Sequence, residues 1–292
     1  MRRISVSLGI FAHNEEINIE KLLISIEKQE LDIAYIKEIL VISSGSYDKT
    51  NKLIRKFAKK DKKIKFIEEI ERRGKSSAIN LFLRKAKSQV LITISSDLRL
   101  HKEAIEEMTL PFLHREIGMV GGHPKPSNVA KSKVGKEGRL LWELHHLVSL
   151  KSPKCGEIVA FRNTINSIPK ESSVDEATIE VLLKLIGYKV VYASRAIVYN
   201  KLPKTFADYL WQRRRNYIGH LWLSEKYNYR VSTMNFNNDY EAILNYLWEN
   251  PKEMIYLLRL VGIEFWARVL GWFDYHVMGR NPFVWKMVKG LM

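Results

Sequence analysis

The first half of the chain alternates short apolar runs with longer amphipathic segments. The apolar runs predict strands at residues 6–11, 38–42, 64–70, 90–94 and 118–122. The amphipathic segments between them predict helices at residues 17–27, 48–59, 76–86 and 102–113. Strands that alternate with helices of this length form βαβ units and a mainly parallel sheet. We therefore predict an α/β fold whose binding residues follow the carboxyl ends of the strands.

The second half continues with strands and then becomes helical. After a loop at residues 123–128, a helix is predicted near 137–150, and strands at 156–162 and 188–192 flank a helix at 176–186. From Thr205 onward the pattern is helical and rich in Trp, Tyr and Arg. We predict one α/β domain over residues 1–200, with halves at about 1–125 and 126–200, and a helical arm over residues 201–292.

Composition narrows the class of partner. The 292 residues contain 48 Lys and Arg against 32 Asp and Glu, a net charge of +16 that favours nucleic acid, an anionic membrane or a phosphate-rich substrate. A basic solvated surface is the alternative. Cys155 is the single cysteine, which excludes an internal disulfide and fits a reducing compartment. The N-terminal segment turns polar at His13, too early for a secretory signal, and is expected to be the first strand.

Four polar segments follow predicted strands and hold candidate chemistry. They read IFAHNE at residues 10–15, VISSGSYDKT at 41–50, RRGKSSAIN at 72–80 and ITISSDLR at 92–99. A lysine at a glycine turn entering a helix, as at Gly74-Lys75, can meet phosphate oxygens. A P-loop is excluded, because that motif needs a glycine where Glu69 stands.

Three further segments lie downstream: CGEIVAFR at residues 155–162, an acid pair at 175–176, and WQRRRNY at 211–217. In this order the seven segments resemble glycosyltransferase family 2 over residues 4–220. The resemblance implies the GT-A fold, with a nucleotide-sugar half and an acceptor half in a catalytic domain over residues 1–200. It also implies transfer of a sugar, with inversion, from a UDP- or GDP-linked donor to a hydroxyl or phosphate.

The resemblance implies that the first and third segments bind the donor. Ala12, His13 and Glu15 match residues that hold the nucleobase, with His13 in the place of the usual stacking aromatic residue. Lys75 and Asn80 match the G-K-x-x-A-L-N motif, and Lys75 is expected at the diphosphate.

The second segment is similar to the family's D-D-G-S-x-D-x-T motif. Asp48 is kept, while Ser43 and Ser44 stand in place of the two leading acids. We expect all three residues near the nucleotide. The alternative is that Asp48 only caps the next helix.

The fourth segment aligns with the family's D-x-D motif, whose carboxylates hold a divalent ion at the donor diphosphate. Ser95 replaces the first acid and Asp97 keeps the second, so Asp97 is the predicted metal ligand and Ser95 a donor-site residue. Mg²⁺ or Mn²⁺ suits such a site, because both prefer oxygen ligands and accept phosphate and water. Arg99 is expected to offset phosphate charge.

The downstream segments imply the sugar pocket and the base. Gly156 matches the family's sugar-lining segment, and Cys155 is interpreted as a small buried residue because no base can be assigned to it. The acid pair stands in swapped order, which puts Glu176 in the general-base position with Asp175 beside it. The alternative is an acid pair that favours a helix N-terminus.

The last segment is similar to the Q-x-x-R-W motif of membrane-embedded members. Gln212 and Arg215 are kept and Asn216 replaces the tryptophan. The resemblance implies that Gln212 and Arg215 contact the departing diphosphate. For Arg213 a solvated basic helix face is the favoured interpretation.

The arm contains a strongly apolar stretch at residues 254–273, interrupted by Arg259, Glu264 and Arg268. Charges inside a membrane span are costly, so an amphipathic helix in the interface, with Trp and Tyr at headgroup level, is the favoured interpretation. Glu264 and Arg268 are spaced for a pair within one helix. Packing within the protein, a homodimer contact and a true span are the alternatives.

These observations predict a membrane-associated enzyme of polysaccharide or glycolipid synthesis. Its acceptor would be a lipid-linked or glycan molecule at the cytoplasmic face of the cell membrane. The alternative is a degenerate relative that binds a nucleotide or a membrane without turnover, motivated by the acids replaced at Ser43 and Ser95. A nucleotidyltransferase is disfavoured because no glycine-rich loop follows the first strand, and no nucleic-acid-binding module is recognised.

Overall fold

The computed structural model describes residues 3–229 and 240–281, with side chains from residue 243 in the second range. Strands in this part of the chain are β1 Ile4–Ala12, β2 Ala34–Ser44, β3 Ile64–Glu69, β4 Val90–Ser95, β5 Arg99–Leu100, β6 Ile117–Pro126, β7 Ile158–Arg162 and β8 Lys189–Asn200. The α-helices are α1 Ile19–Glu27, α2 Thr50–Lys60, α3 Lys75–Lys85, α4 Ala104–Thr109, α5 Gly135–Lys151, α6 Asp175–Leu185, α7 Phe206–Tyr227, α8 Tyr240–Glu249 and α9 Met254–His276.

The described strands form one sheet in the order β3-β2-β1-β4-β7-β6-β8-β5. Strands β3, β2, β1 and β4 pair in parallel, so their carboxyl ends meet at one edge. Strand β7 pairs antiparallel with both β4 and β6, and β5 pairs antiparallel with β8. The predicted α/β fold is confirmed, and its parallel part carries the segments predicted to bind the donor.

Strand β1 lies in the middle of the parallel part and is buried along its whole length. Apolar residues of α1, α2 and α4 pack on one side of the sheet, and residues of α3 and α6 pack on the other. Gly9 of β1 allows one such approach, because a Cβ atom there would lie 2.8 Å from the Phe82 ring of α3. The absence of a side chain therefore sets how close α3 comes to the sheet.

Two parts of the sheet differ from the sequence prediction. The last strand was predicted at residues 188–192 and instead runs over Lys189–Asn200, where it pairs with the two-residue strand β5. The predicted helix at 102–113 divides into α4 and a 3₁₀ turn at Leu110–Leu113, because Pro111 has no N–H to continue an α-helix. Both differences arise where pairing or proline overrides an apolar periodicity.

The contacts group the chain into two units. The first comprises Met1–Pro124, Cys155–Lys170 and Asp175–Asn200, and the second comprises Lys125–Lys154, Glu171–Val174 and Lys201–Met292. Helix α5 therefore belongs with the C-terminal helices, although the sequence placed it in the domain over 1–200. That division at residue 200 stays a prediction, as does the placing of residues 230–239 and 282–292, which lie outside the described residues.

The second unit is a helical assembly in which α9 packs on α7 and α5. Gly271 of α9 permits a close approach, because a Cβ atom there would lie 3.0 Å from Tyr217 and 3.1 Å from the carbonyl of Arg214, both in α7. Its core contains Val134, which precedes α5, and apolar residues of all three helices: Leu140, Leu144, Tyr209, Leu260 and Ile263. In the described part of the chain, no helix is long and apolar enough to cross a membrane.

Candidate active site

Hydrogen bonds join the loops after β1 and β2 into one polar corner. The His13 Nδ1–H donates to the carbonyl of Ser44 at 2.7 Å. Asn14 has a left-handed backbone, with φ of 54°, and its N–H donates to Ser46 Oγ at 3.1 Å. The Asn14 side-chain oxygen accepts the N–H of Tyr47 at 3.0 Å. These bonds fix the predicted nucleobase segment against the second loop.

The His13 ring is neutral near pH 7. Burial lowers its pKa, the bond to Ser44 opposes this, and the charge of Arg72 lowers the pKa further. Tyr47 is 83% exposed and meets the His13 ring edge-on, with centroids 6.3 Å apart. This exposed ring offers stacking surface beside His13. Tyr47 was not among the predicted site residues, and the only sequence signal for it was an aromatic residue inside a matched loop.

Ser43 and Ser44, which replace the family's leading acids, are buried and tie the loop together. The Ser43 and Ser46 hydroxyls share a hydrogen bond of 2.8 Å. The Ser44 hydroxyl donates to the carbonyl of Glu71 at 3.3 Å and accepts the N–H of Arg73 at 3.4 Å. Contact of either serine with a nucleobase stays a prediction.

The carboxylates of Asp48 and Glu15 have structural partners. Asp48 accepts the N–H of Thr50, the first residue of α2, at 2.9 Å and the N–H of Glu16 at 3.2 Å. The Glu15 carboxylate accepts the side-chain amide of Asn18 at 2.7 Å. Asp48 therefore binds the backbone at the start of α2 from the position before the cap residue Lys49, and a nucleotide contact by either acid stays a prediction.

Lys75 binds both acids of the predicted base pair. Its Nζ lies 2.8 Å from Asp175 Oδ2 and 3.1 Å from Glu176 Oε1. Gly74, with φ of 87°, turns the chain into α3 so that Lys75 becomes the first residue of that helix. Asp175 and Glu176 likewise begin α6. The Asp175 side chain is 4% exposed and that of Glu176 is 20% exposed, so Glu176 is the acid that an acceptor can reach.

The positive charge of Lys75 and the negative charges of Asp175 and Glu176 stabilise one another. Burial disfavours the Lys75 ammonium, but Asp175 and Glu176 outweigh that effect and raise the pKa of Lys75 above its ordinary value. Burial raises the pKa of Asp175 to about 6, the charge of Glu176 adds to the rise, and Lys75 opposes it. Lys75 thus favours the ionised form of Asp175, and an ionised carboxylate can accept a proton.

Glu157 is a further carboxyl group that the sequence analysis missed. The antiparallel ladder between β4 and β7 ends at the pair Ile94 and Ile158, and Glu157 is the residue directly before the first residue of β7. The backbone of Glu157 is left-handed, with φ of 62°, which is uncommon for a residue with a side chain. The Asn200 amide donates to Glu157 Oε1 at 3.2 Å.

The charges of neighbouring acids change the pKa of Glu157. Burial raises its pKa to about 7, and the charges of Asp97 and Glu176 add to the rise. The hydrogen bond from Asn200 and the charge of Lys75 lower that pKa in part. Asp97, Glu157 and Glu176 are thus close enough for their charges to interact. An antiparallel pairing over more than 60 residues of chain brings Glu157 here, which no local sequence pattern reveals.

The carboxylate oxygens around Asp97 suit a hard divalent cation as metal ligands. Carboxylate oxygens of Asp97 and Glu157 are ligands that Mg²⁺ and Mn²⁺ prefer. The described residues contain no ready cluster of three metal-binding side chains. Protein alone does not complete a coordination sphere here, which suits a cation that takes its other ligands from a diphosphate and water.

Asn80, Ala12 and Gly156, which were predicted to bind the sugar donor, have structural roles within the first unit. Both amide atoms of buried Asn80 bind Ile168: its NH₂ donates to the carbonyl at 2.8 Å and its oxygen accepts the N–H at 2.7 Å. Asn80 therefore clamps the loop after β7. Ala12 is the buried last residue of β1, and the carbonyl of Gly156 accepts the N–H of Ile158 at 2.7 Å.

Cys155 and Arg99 have supporting positions. Burial and then the charge of Glu180 raise the pKa of the Cys155 thiol well above its ordinary value, so it stays protonated, as expected for a residue that is not a nucleophile. Arg99 is exposed and its guanidinium lies over the Tyr199 ring, 4.8 Å from the centroid. Its predicted contact with phosphate stays a prediction.

Gln212 and Arg215 lie on α7 in the second unit. Gln212 is half-buried. Arg215 is buried, lies over the Trp211 ring at 5.4 Å and donates to Asn216 Oδ1 at 2.9 Å. The assignment of Gln212 and Arg215 to a leaving diphosphate stays a prediction.

Two neighbouring arginines of α7 pair with α9. Arg213 binds Glu264, with Nη2 3.3 Å from Oε2, and Arg214 binds Asp274. The interpretation of Arg213 as part of a solvated face is therefore wrong. The predicted pair of Glu264 with Arg268 stays a prediction.

A family model described as Glycosyl transferase family 2 matches residues 7–167, which is more than half of the chain. The chain belongs to glycosyltransferase family 2. Poly-beta-1,6-N-acetyl-D-glucosamine synthase of Staphylococcus aureus (strain COL) is 26% identical over 230 residues, covering 73% of this chain and 55% of the relative. The Staphylococcus epidermidis synthase is 24% identical over 223 residues, covering 72% and 52%. The chain thus spans about half the length of the curated relatives it matches.

Solved structures share the fold. The mannosyltransferase PcManGT from Pyrobaculum calidifontis, in complex with GDP-Man and Mn²⁺, has a TM-score of 0.61 at 19% identity, covering 97% of this chain and 82% of that one. S. aureus TarS 1–349 in complex with UDP-GlcNAc has a TM-score of 0.51 at 16% identity, covering 75% and 67%. At these identities the likeness shows the fold alone. The predicted GT-A fold is confirmed.

Proposed function

We propose that this chain transfers one sugar, with inversion, from a UDP- or GDP-linked donor to a hydroxyl or phosphate acceptor. The observation that carries the proposal is the contact of Lys75 with Asp175 and Glu176, at 2.8 and 3.1 Å. It places a cation and two carboxylates together in the unit that contains the parallel strands. A sugar transfer needs both charges, one for the diphosphate and one for the acceptor proton.

Glu176 and Asp175 have different proposed roles because their side chains differ in exposure. Glu176, the more exposed acid, removes the proton of the acceptor hydroxyl while the acceptor oxygen bonds the anomeric carbon. The bond from that carbon to the diphosphate breaks, and the nucleoside diphosphate leaves. Asp175 is buried beneath Lys75 and holds its ammonium in place. The ammonium in turn keeps the two acids ionised.

The nucleotide end of the donor would lie at the corner made by His13 and Tyr47. Their adjoining rings, one neutral and one exposed, can stack on a base. The names of two structural neighbours state complexes with GDP-Man and with UDP-GlcNAc, which supports a nucleotide-sugar donor and leaves the base open.

Mg²⁺ or Mn²⁺ is the proposed cofactor, held by Asp97 with Glu157 beside it. When bound, the cation would neutralise charge on the diphosphate of the donor. The neighbour complexed with Mn²⁺ supports this part of the proposal. The likeness to polysaccharide synthases supports a role in polysaccharide or glycolipid synthesis. A lipid-linked or glycan acceptor at the cytoplasmic face of the membrane completes the proposal.

Thermal unfolding in the presence of UDP, GDP and their sugar derivatives, with and without Mn²⁺, tests the donor, because a bound ligand raises the melting temperature. Transfer of labelled sugar to a membrane extract tests turnover. A cation-dependent shift together with transfer supports the enzyme. A shift without transfer, while a known family member is active in the same extract, favours the degenerate nucleotide-binding relative. No shift with any nucleotide contradicts the proposal.

A further inference from the structure

Helix α9 turns its acids toward α7. Glu264 binds Arg213, and Asp274 binds Arg214. The Arg213 side chain is largely buried, and Glu264 raises its pKa despite the cost of burial. Both acids of α9 are therefore neutralised inside the second unit.

The bases of α9 also contact the second unit. Arg259 Nη1 lies 3.4 Å from Glu137 Oε1 of α5, and Glu137 is buried. The Arg268 guanidinium lies over the Tyr217 ring of α7, 5.9 Å from its centroid. From Met254 to Tyr275 every charged residue of α9 thus meets a partner on α5 or α7.

The outward face of α9 consists of large apolar side chains. These exposed residues recur at helical spacing: Ile255, Leu258, Val261, Phe265, Trp266, Val269, Trp272 and Phe273. Trp248 of α8, which is 89% exposed, adds a further aromatic ring. We call the α9 residues of this set the outward face.

This arrangement reverses the usual pattern of a surface helix, which turns apolar residues inward and charges outward. Contiguous apolar surface of this kind marks an interaction site. We propose that the outward face of α9 binds the surface of an anionic membrane. The helix would lie in the interface along its length of about 35 Å, with its acids turned toward α7. The Arg259 side chain is 63% exposed, so its guanidinium would lie at the level of the anionic headgroups.

Charge complementarity favours an anionic lipid surface over a second copy. Lys252, before α9, and Arg280, after it, are exposed bases at the two ends of the helix. The whole chain carries a net charge of +16. A two-fold contact would bring the same bases of two copies together, whereas anionic headgroups attract them. This inference deepens the proposed membrane location and is independent of the sugar donor.

Sedimentation of the full chain with vesicles of equimolar phosphatidylglycerol and phosphatidylcholine tests the inference without any sugar nucleotide. We expect the unmodified chain to bind. The double variant Trp266→Gln with Trp272→Gln should lower the partition coefficient by roughly tenfold or more, because each change removes a large apolar contact. Ile70→Gln, an exposed apolar residue of the first unit, is the matched control and should bind as the parent does.

Circular dichroism establishes that the double variant is folded, and light scattering gives the oligomeric state of each protein. Loss of vesicle binding by the folded double variant, with the control unchanged, supports the inference. Equal binding of all three proteins overturns it. The inference is also overturned if the unmodified chain does not bind vesicles and forms a dimer, while the double variant is a monomer. That result would show that the outward face binds a second copy of the chain. Transfer to a soluble acceptor is measured separately, so failure of the transferase proposal is distinguishable.

Discussion

Asp97 and Glu157 lie just beyond the end of the antiparallel ladder between β4 and β7, and the charge of Asp97 helps to raise the pKa of the Glu157 carboxyl group. The family's D-x-D motif has an acid where Ser95 stands, and this chain has Glu157 in the segment before β7. We therefore expect Glu157 to supply the carboxyl group that position 95 lacks.

Glu157→Gln should weaken binding of Mn²⁺ in the presence of a nucleoside diphosphate by about tenfold. Adding Ser95→Asp in that background should restore the affinity, because it returns the first acid of the D-x-D motif. Calorimetry with Mn²⁺ measures both without turnover. If Glu157→Gln binds Mn²⁺ as the parent does, or if Ser95→Asp brings no recovery in a folded protein, Glu157 has no part in cation binding.

Asp97→Asn should lower Mn²⁺-dependent nucleotide affinity by at least roughly tenfold and leave the fold intact, because Asp97 supplies the matched carboxylate of the motif. Fluorescence or calorimetric titration with the nucleotide in excess Mn²⁺ measures the change. Asp32→Asn, an exposed aspartate elsewhere in the first unit, serves as the control. Equal affinities for the Asp97 variant and the parent would refute the assignment.

Glu176→Gln should keep donor binding and lower turnover by roughly 10²–10⁴, the usual contribution of a general base. Asp175→Asn should act mainly through Lys75, so its effect on kcat is expected to be smaller and accompanied by weaker donor binding. Steady-state kinetics of both variants separate the roles. A larger fall in kcat for Asp175→Asn would move the base by one position, and full activity in both would exclude a base at this pair.

Activity should rise with pH through about 6, because Asp175, whose raised pKa is about 6, must be ionised to hold the Lys75 ammonium beside the base Glu176. Lys75 opposes that rise, so Lys75→Met should move the acid limb of kcat/KM to higher pH by about one unit. The direction follows from the loss of a positive charge, which makes each carboxylate easier to protonate. An acid limb that stays in place in the folded variant would show that Lys75 does not tune these acids. Lys75→Arg keeps the charge and is the control.

Glu264→Gln should lower the free energy of unfolding by about 1.5–3 kcal/mol, because it leaves the largely buried Arg213 guanidinium without its counter-charge. Chemical denaturation measures the loss. Glu249→Gln, an exposed glutamate of α8, should change stability by less than about 0.5 kcal/mol. Equal stabilities for the two variants would mean that the pair contributes nothing measurable.

The sequence predicted the parallel part of the fold well, because buried parallel strands are continuous apolar runs. Strand β1 is such a run, and all nine of its residues are buried. It also predicted that the acids at 175 and 176 belong to one site. Their contact with Lys75 joins residues 100 and 101 positions apart, and only the resemblance to a family placed them together.

Other parts of the site had no local signal. Glu157 follows a glycine in an unremarkable segment, and its place beside Asp97 depends on an antiparallel pairing between distant strands. Asn80 matched a donor-binding motif, yet its amide holds the backbone of Ile168. Glu264 had a spacing suited to Arg268, and its bond to Arg213 of α7 had no signal in the sequence. Periodicity gives the face of an element, while long-range packing decides its partners.

The ion pairs of α9 determine how the arm can be inherited and engineered. Its counter-charges come from Glu137 on α5 and from Arg213 and Arg214 on α7. The helix therefore cannot be removed or transferred by itself without losing these ion pairs. Deleting α9 would leave these three charged side chains partly buried without their counter-charges. Grafting α9 onto another domain would likewise leave the charged residues of α9 without their partners. An exchange between relatives must therefore move α5, α7 and α9 as one piece.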